Sequence, residues 1–127
     1  MIKNNLPLSP HLQIYKPQIT SILSIAHRIS GFCLSLSLIF FAVWLFSLSQ
    51  GEMIYNLFLK IIKTIPARII SFMAILGFFY HMFNGIRHII WDFGYGLEIS
   101  TSAKLGYLVL FLSLLSTICF SLRIGVL

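Results

Sequence analysis

Long apolar segments without charged side chains dominate the pattern of hydrophobic and polar positions along this chain. Residues 29–48, 69–86 and 105–122 each contain no Asp, Glu, Lys or Arg. About 20 such residues, wound into a helix, cross a hydrocarbon core of roughly 30 Å. The pattern predicts an all-α integral membrane protein with three transmembrane helices, at approximately 22–48, 68–91 and 105–124. They form a single domain, 1–127, that opens with a leader over 1–20.

The segment between the first two predicted spans has a different periodicity. Its apolar residues recur at helical spacing and are Met53, Ile54, Leu57, Phe58, Ile61, Ile62 and Ile65. Lys60 and Lys63 fall on the other face, a pattern typical of a short helix lying in the membrane interface. We expect Pro66 to end this helix.

The leader before the first span is rich in proline. Pro7, Pro10 and Pro17 each lack a backbone donor and restrict the residue before them, so we expect extended structure on the membrane surface. The hydroxyls of Thr20 and Ser21 are then expected to cap the incoming helix.

Composition and charge agree with a membrane protein. The chain has 127 residues, of which 58% are hydrophobic and 9% are charged, whereas soluble domains usually carry about a quarter charged residues. It is too short to hold a flavin or dinucleotide domain beside three spans. The net charge of +6 is spread thinly rather than gathered in a stripe, which favours contact with lipid headgroups over nucleic acid.

Basic residues also bear on orientation. With three spans, the leader and the second loop share one side of the membrane, called here the leader side. The leader side holds Lys3, Lys16, Arg28, Arg87 and Lys104, and the opposite side holds Lys60, Lys63, Arg68 and Arg123. Basic residues are more frequent on the cytoplasmic side of membrane proteins, so five on the leader side against four on the other predict a cytoplasmic or matrix N-terminus.

The histidines all fall in or beside one half of the predicted membrane region. They are His11, His27, His81 and His88. His81 lies inside the second span, on a helical face with Ala74, Gly77, Gly85 and His88. Such a face could be a shallow groove for a porphyrin whose iron an imidazole reaches, or a stripe of small residues for helix packing. His81 and His88 are two turns apart, so an iron bound to His81 needs its second ligand from another helix, more plausibly in a partner chain.

A second cluster lies where the first span enters the membrane. Ser24, His27 and Arg28 occupy one helical turn and offer a hydroxyl, an imidazole and a guanidinium. These donors suit the carbonyl acceptors of a quinone headgroup, although an interfacial Arg and His can equally reach toward lipid headgroups.

Three stretches carry a specific resemblance. PLSPHLQIYKP, SILSIAHRISG and YHMFNGIRHIIWDFG, in this order, resemble the large cytochrome b membrane-anchor subunit of succinate dehydrogenase, of the alphaproteobacterial and mitochondrial type. The resemblance implies a four-chain respiratory complex in a bacterial or mitochondrial inner membrane. Its partners would be a flavoprotein, an iron–sulfur subunit and a smaller hydrophobic anchor. The complex would pass electrons from succinate, in the tricarboxylic acid cycle, to ubiquinone.

The same resemblance implies roles for individual residues. His81 matches an axial ligand of one b-type haem, whose second ligand lies on the smaller anchor. Ser24 and Arg28 match quinone-site positions, and His27 and His88 match positions near the haem propionates. Such a subunit is not catalytic alone.

The sequence leaves one alternative function open and disfavours another. A haem-free structural anchor is the alternative, because the His81 stripe could serve helix packing. A small transporter or channel is disfavoured, because it would need polar residues along a path across the membrane, and here they gather on one side.

Overall fold

A computed structural model describes residues 16–126 as four helices, with no strand in that part of the chain. They are α1 (Ile19–Ser49), α2 (Glu52–Ile62), α3 (Ile65–Asp92) and α4 (Ile99–Ile124). The helices α1, α3 and α4 are long and apolar enough to cross a membrane. The prediction of an all-α protein with three spans and a short helix between the first two is therefore confirmed. The proline-rich stretch with His11 lies outside the described residues.

The surface of the bundle is apolar and its interior contains polar groups. Large side chains such as Phe32, Phe46, Phe111 and Leu122 are exposed, whereas Ser113, Thr117 and Ser121 are buried. In a water-soluble domain, large apolar side chains are usually buried and polar ones exposed, so this distribution of side chains is inverted. Because lipid tails are as apolar as leucine, membrane helices gain little by hiding such side chains and associate through close packing instead.

Helix α4 packs through a stripe of small residues. Its buried residues are Ser102, Gly106, Val109, Ser113, Thr117 and Ser121, spaced three or four apart. Two hydroxyls of the stripe bond within their own helix: Ser113 donates to the Val109 carbonyl, and Thr117 donates to the Ser113 carbonyl at 2.6 Å. Small side chains whose polar groups are locally satisfied let neighbouring helices approach closely.

Two expectations about helix ends are wrong. Thr20 and Ser21 do not begin α1, because the helix starts at Ile19 with Gln18 at its N-cap, and the Gln18 side chain makes no capping hydrogen bond. Pro66 does not end α2, which stops at Ile62; it lies instead in the first turn of α3. A proline is well tolerated there, because the first-turn N–H groups have no partner within the helix.

Helix α2 leaves much of its apolar side uncovered by the other helices that the structure describes. None of its residues is buried, and Met53, Leu57 and Ile61 are exposed. Its one acidic residue, Glu52, is in the first turn and Lys60 is in the last, an arrangement that suits the helix dipole. An exposed apolar side beside exposed lysines fits a helix that lies in the interface.

A tight turn joins α3 to α4 on the leader side of the bundle. Gly94 and Gly96 have φ of 82° and 71°, a region that residues with a Cβ rarely adopt. The Trp91 indole N–H closes the turn by donating to the Gly96 carbonyl at 3.1 Å. The end of α3 is therefore held against the turn that leads into α4.

Candidate functional site

The His81 ring is held against one turn of α1. Its Nδ1 lies 3.1 Å from the His27 carbonyl oxygen and 3.1 Å from Ser30 Oγ. The Ser30 hydroxyl itself donates to the His27 carbonyl at 2.8 Å. Because a carbonyl oxygen only accepts, Nδ1 must carry the hydrogen, and in the neutral ring Nε2 then keeps its lone pair. The backbone of α1 thus selects the tautomer of His81.

The three histidines of the described residues form one cluster. The His27 and His81 rings stack with centroids 4.0 Å apart and planes 7° from parallel, and the His27 and His88 centroids are 5.1 Å apart. His27 Nε2–H donates to the His81 carbonyl at 3.2 Å. His27 and His81 therefore each bond to the backbone of the other, and this reciprocal pair joins α1 to α3.

Gly31 makes this close approach possible. A Cβ built on Gly31 would lie 2.9 Å from His81 Cε1, closer than real Cβ contacts are found. The His81 ring occupies the space that any larger residue would need. The glycine of the sequence segment HRISG is therefore a packing requirement of His81.

An apolar cavity of about 800 Å³ opens beside this contact, between α1, α3 and α4. Ser30, Ala74 and Gly77 are among its lining residues, and a Cβ on Gly77 would meet no atom within 4 Å. The volume lies in the range of sites that enclose a small organic molecule. Ser30 contacts the His81 ring and Gly77 lies one turn before it, so the cavity adjoins His81.

The predicted small-residue face of α3 is divided by α1. Its first half, Ala74 and Gly77, faces the cavity, whereas a Cβ on Gly85 would lie 3.8 Å from His27 Nε2. The second half of the face is thus covered by His27. The open groove predicted from the sequence is limited to the part before His81.

Ser24 and Arg28 lie near the histidine cluster, on the same stretch of α1 as His27: Ser24 is three residues before it and Arg28 directly follows it. Ser24 is half-buried and Arg28 is exposed. In the described part of the chain, neither side chain is engaged in a hydrogen bond or an ion pair with another residue. The structure thus brings His27, His81 and His88 into contact, and leaves the Ser24 and Arg28 side chains available.

Sequence reasoning missed a polar network between α3 and α4. Arg87, expected at the membrane edge, is only 2% exposed. Its Nη1 donates to Asn84 Oδ1 at 3.2 Å, and its Nη2 donates to both the carbonyl and the hydroxyl oxygen of Ser102, each at 3.0 Å. A signal was present: Asn84 and Arg87 are three residues apart and therefore share a face of α3. Nothing in the sequence showed that α4 covers this face.

The architecture defines a class: a helical membrane protein of three spans whose imidazoles gather at one end of the bundle. A family described as "Succinate dehydrogenase/Fumarate reductase transmembrane subunit" matches residues 2–120. The chain is 45% identical, over 90% of its length and 83% of the relative's, to the succinate dehydrogenase cytochrome b560 subunit of Reclinomonas americana. It is 42% identical, over 92% of its length and 91% of the relative's, to the cytochrome b556 subunit of Rickettsia bellii. The cytochrome b560 subunit of Marchantia polymorpha is 40% identical over 87% of this chain and 84% of its own.

The chain belongs to the succinate dehydrogenase/fumarate reductase transmembrane subunit family. The resemblance found in its three sequence motifs is thereby confirmed.

Proposed function

We propose that this chain is the large membrane anchor of a succinate:ubiquinone oxidoreductase. In this proposal it holds one b-type haem together with a smaller anchor subunit and forms part of the ubiquinone site. The flavoprotein and iron–sulfur subunits supply the electrons, because a chain of this size has no room for a flavin domain. The names of its relatives, all cytochrome b subunits of succinate dehydrogenase, support the assignment.

The observation that carries the haem proposal is the contact between His81 Nδ1 and the His27 carbonyl oxygen. Histidines that ligate metals usually donate their other ring N–H to a carbonyl or carboxylate, which orients the ring and makes the ligating nitrogen more basic. The Nδ1–H of His81 has that partner in the His27 carbonyl at 3.1 Å, and Nε2 keeps its lone pair. His81 would thus be an oriented imidazole ligand for the haem iron, close to an apolar cavity. A haem bound there supplies a one-electron iron couple.

His27 and His88 would lie toward the haem propionates. Both rings are on the leader side of His81, where the helices approach the polar membrane surface. Within the described residues the His27 ring donates its Nε2–H to the His81 carbonyl, so its Nδ1 could donate to a carboxylate only in the protonated imidazolium form. Charge-assisted bonds of this kind are stronger than neutral ones.

Ser24 and Arg28 would bind the quinone headgroup. The half-buried hydroxyl and the exposed guanidinium can each donate to a quinone carbonyl oxygen. The chain supplies only part of such a site, since no described residue encloses these two side chains on their free side. The smaller anchor would complete it.

We further propose that the chain lies in a bacterial inner membrane or a mitochondrial inner membrane. The leader side would face the cytoplasm or the matrix. The excess of basic residues on that side supports this orientation. It also puts Ser24 and Arg28 on the side where soluble subunits would deliver electrons.

Replacing the proposed ligand tests the haem assignment. In the complex assembled with its partner subunits, His81→Ala should abolish or reshape the low-spin, bis-histidine spectrum obtained as reduced minus oxidised absorbance. Met82→Leu is the matched control, because Met82 is the next residue along α3 and is exposed. An unchanged spectrum in His81→Ala would remove His81 as the ligand.

Separating two activities tests the quinone assignment. Arg28→Ala should slow quinone reduction, while succinate oxidation with an artificial acceptor persists. Arg123→Ala, which removes an exposed arginine at the opposite end of the bundle, should leave both rates unchanged. Equal loss of both activities in Arg28→Ala would indicate an assembly defect rather than a quinone contact.

A haem-free structural anchor is the second candidate. The reciprocal bonds between His27 and His81 favour it, because they join α1 to α3 with no ligand required. The purified complex decides between the two: Soret absorbance at one haem per complex supports the first function, and its absence supports the second.

A further inference from the structure

Arg87 is a cation inside the bundle, held only by neutral groups. Its hydrogen bonds go to Asn84 Oδ1 and to the hydroxyl and carbonyl oxygens of Ser102, and its guanidinium lies 4.1 Å from the centre of the Trp91 ring. Arginine keeps its proton in proteins. The side chain thus brings a full positive charge to a position that is 2% exposed.

Within the described residues no acidic side chain forms an ion pair with Arg87. The chain has only three acidic residues, Glu52, Asp92 and Glu98, and all three are exposed. Arg87 Nε and Asn84 Nδ2 are also buried without a hydrogen-bond partner in the described residues. Burying a charge and leaving donors unpaired are both costly, and a neutral glutamine could bond to the same oxygens at lower cost. Helix packing alone therefore explains the bonds of Arg87 but not its charge.

A continuous series of ring contacts joins Arg87 to His81. The guanidinium lies over Trp91, and the Trp91 and His88 rings meet edge to face at 4.9 Å. His88 then contacts His27 at 5.1 Å, and His27 stacks on His81 at 4.0 Å. Positions 81 and 87 are separated by a rise of about 9 Å along α3. A series of contacting side chains thus connects the charge to the proposed ligand.

We infer that Arg87 raises the reduction potential of the redox group bound at His81 through its unbalanced positive charge. This inference rests on the proposed haem function. Uptake of one electron lowers the charge at the iron by one unit, and a fixed cation nearby favours that state. At a separation of about 10 Å and an effective dielectric constant of about 20, the ratio of reduced to oxidised iron changes roughly tenfold. For a one-electron couple this is about 59 mV.

Potentiometric titration of the haem in the assembled complex tests the inference. Arg87→Gln removes the charge and keeps a hydrogen-bond donor, so the midpoint should fall by about 59 mV, a tenfold change. Ser102→Ala removes one bond to Arg87 but keeps its charge, so the midpoint should move by less than a third of that amount. An unchanged midpoint in Arg87→Gln, or an equal fall in Ser102→Ala, would overturn the inference.

A second variant covers the case in which Arg87→Gln fails to assemble. Ser102→Asp would bring a carboxylate to the position of the Ser102 hydroxyl, 3.0 Å from Nη2, and balance the charge with the arginine in place. The midpoint potential should again fall by about 59 mV, which corresponds to a tenfold change in the ratio of reduced to oxidised iron. If neither variant assembles, Arg87 is a structural clamp and the inference is wrong. A wild-type complex without haem would instead refute the proposed function, which is a separate outcome.

Discussion

Helix α3 uses two faces in opposite ways. Toward α1 it presents His81, whose Nδ1 is hydrogen-bonded and whose Nε2 has no hydrogen-bond partner among the described residues, close to a cavity. Toward α4 it presents Asn84 and Arg87, which are 0% and 2% exposed and lie against a close-packed stripe of small residues. The first face has room for a ligand and the second has none.

The difference separates two uses of a polar group inside a membrane protein. A buried polar side chain is expensive in either place and is therefore a functional hypothesis by default. On the α1 face the polar group can act by contact, because space adjoins it. On the α4 face it can act only through its electric field or by holding helices together. Three glycine-to-alanine substitutions in helices test this comparison. Each adds one methyl group, and the three sites differ in how much free space surrounds that group.

Gly106→Ala should have the largest effect on stability, because Gly106 lies in the close-packed stripe of small residues on α4. The added Cβ would lie 2.5 Å from Leu23 Cδ1, and Leu23 is itself buried. The Leu23 side chain would have to shift within its packed surroundings, or α1 and α4 would have to separate, and overpacking of this kind costs roughly 1–3 kcal/mol. Thermal unfolding of the purified complex in detergent would measure it. A variant as stable as wild type would show that α1 and α4 do not pack this closely.

Gly31→Ala should have an intermediate effect on stability and a specific effect on His81. Its Cβ would lie 2.9 Å from His81 Cε1, so the ring must turn or shift. We expect a loss of about 1 kcal/mol together with a changed spectrum of the haem that we propose binds at His81, recorded as reduced minus oxidised absorbance. If stability falls while the spectrum stays the same, the ring of His81 is not the group that Gly31 accommodates.

Gly77→Ala should have the smallest effect on stability. No atom lies within 4 Å of its Cβ position, so the methyl group enters the cavity without a clash. Alanine also favours the helix over glycine by up to about 1 kcal/mol. The free energy of unfolding of the variant should therefore equal or slightly exceed that of wild type. A marked loss of stability would mean that the cavity beside His81 is filled by protein.

Much of the fold follows from local features of the sequence. Three charge-free segments, separated by short polar or amphipathic stretches, are enough to predict three spans and the short helix between them. The errors at Thr20 and Pro66 concern helix ends, which depend on one or two backbone bonds rather than on the hydropathy of a whole segment.

The candidate site was predictable only in part. The clustering of His27, His81 and His88 follows from their sequence positions, because antiparallel neighbouring spans bring the start of one beside the end of the next. The role of Gly31, the covering of Gly85 by His27 and the burial of Arg87 did not follow. Each depends on the rotation of one helix against another, and that rotation is decided by side chains on both helices.

The sequence by itself therefore determined that this is a membrane protein of three spans, on which side its reactive groups gather, and to which family it is similar. Hydropathy and charge act within one segment at a time, so they can be evaluated without knowing what lies beside it. Only the tertiary structure decided that the α1 backbone orients His81 and that α4 covers Arg87. A hydrogen bond needs a partner atom within a few ångströms, and a side chain is buried only when other residues cover it. In both cases those residues come from a part of the chain that is distant in sequence.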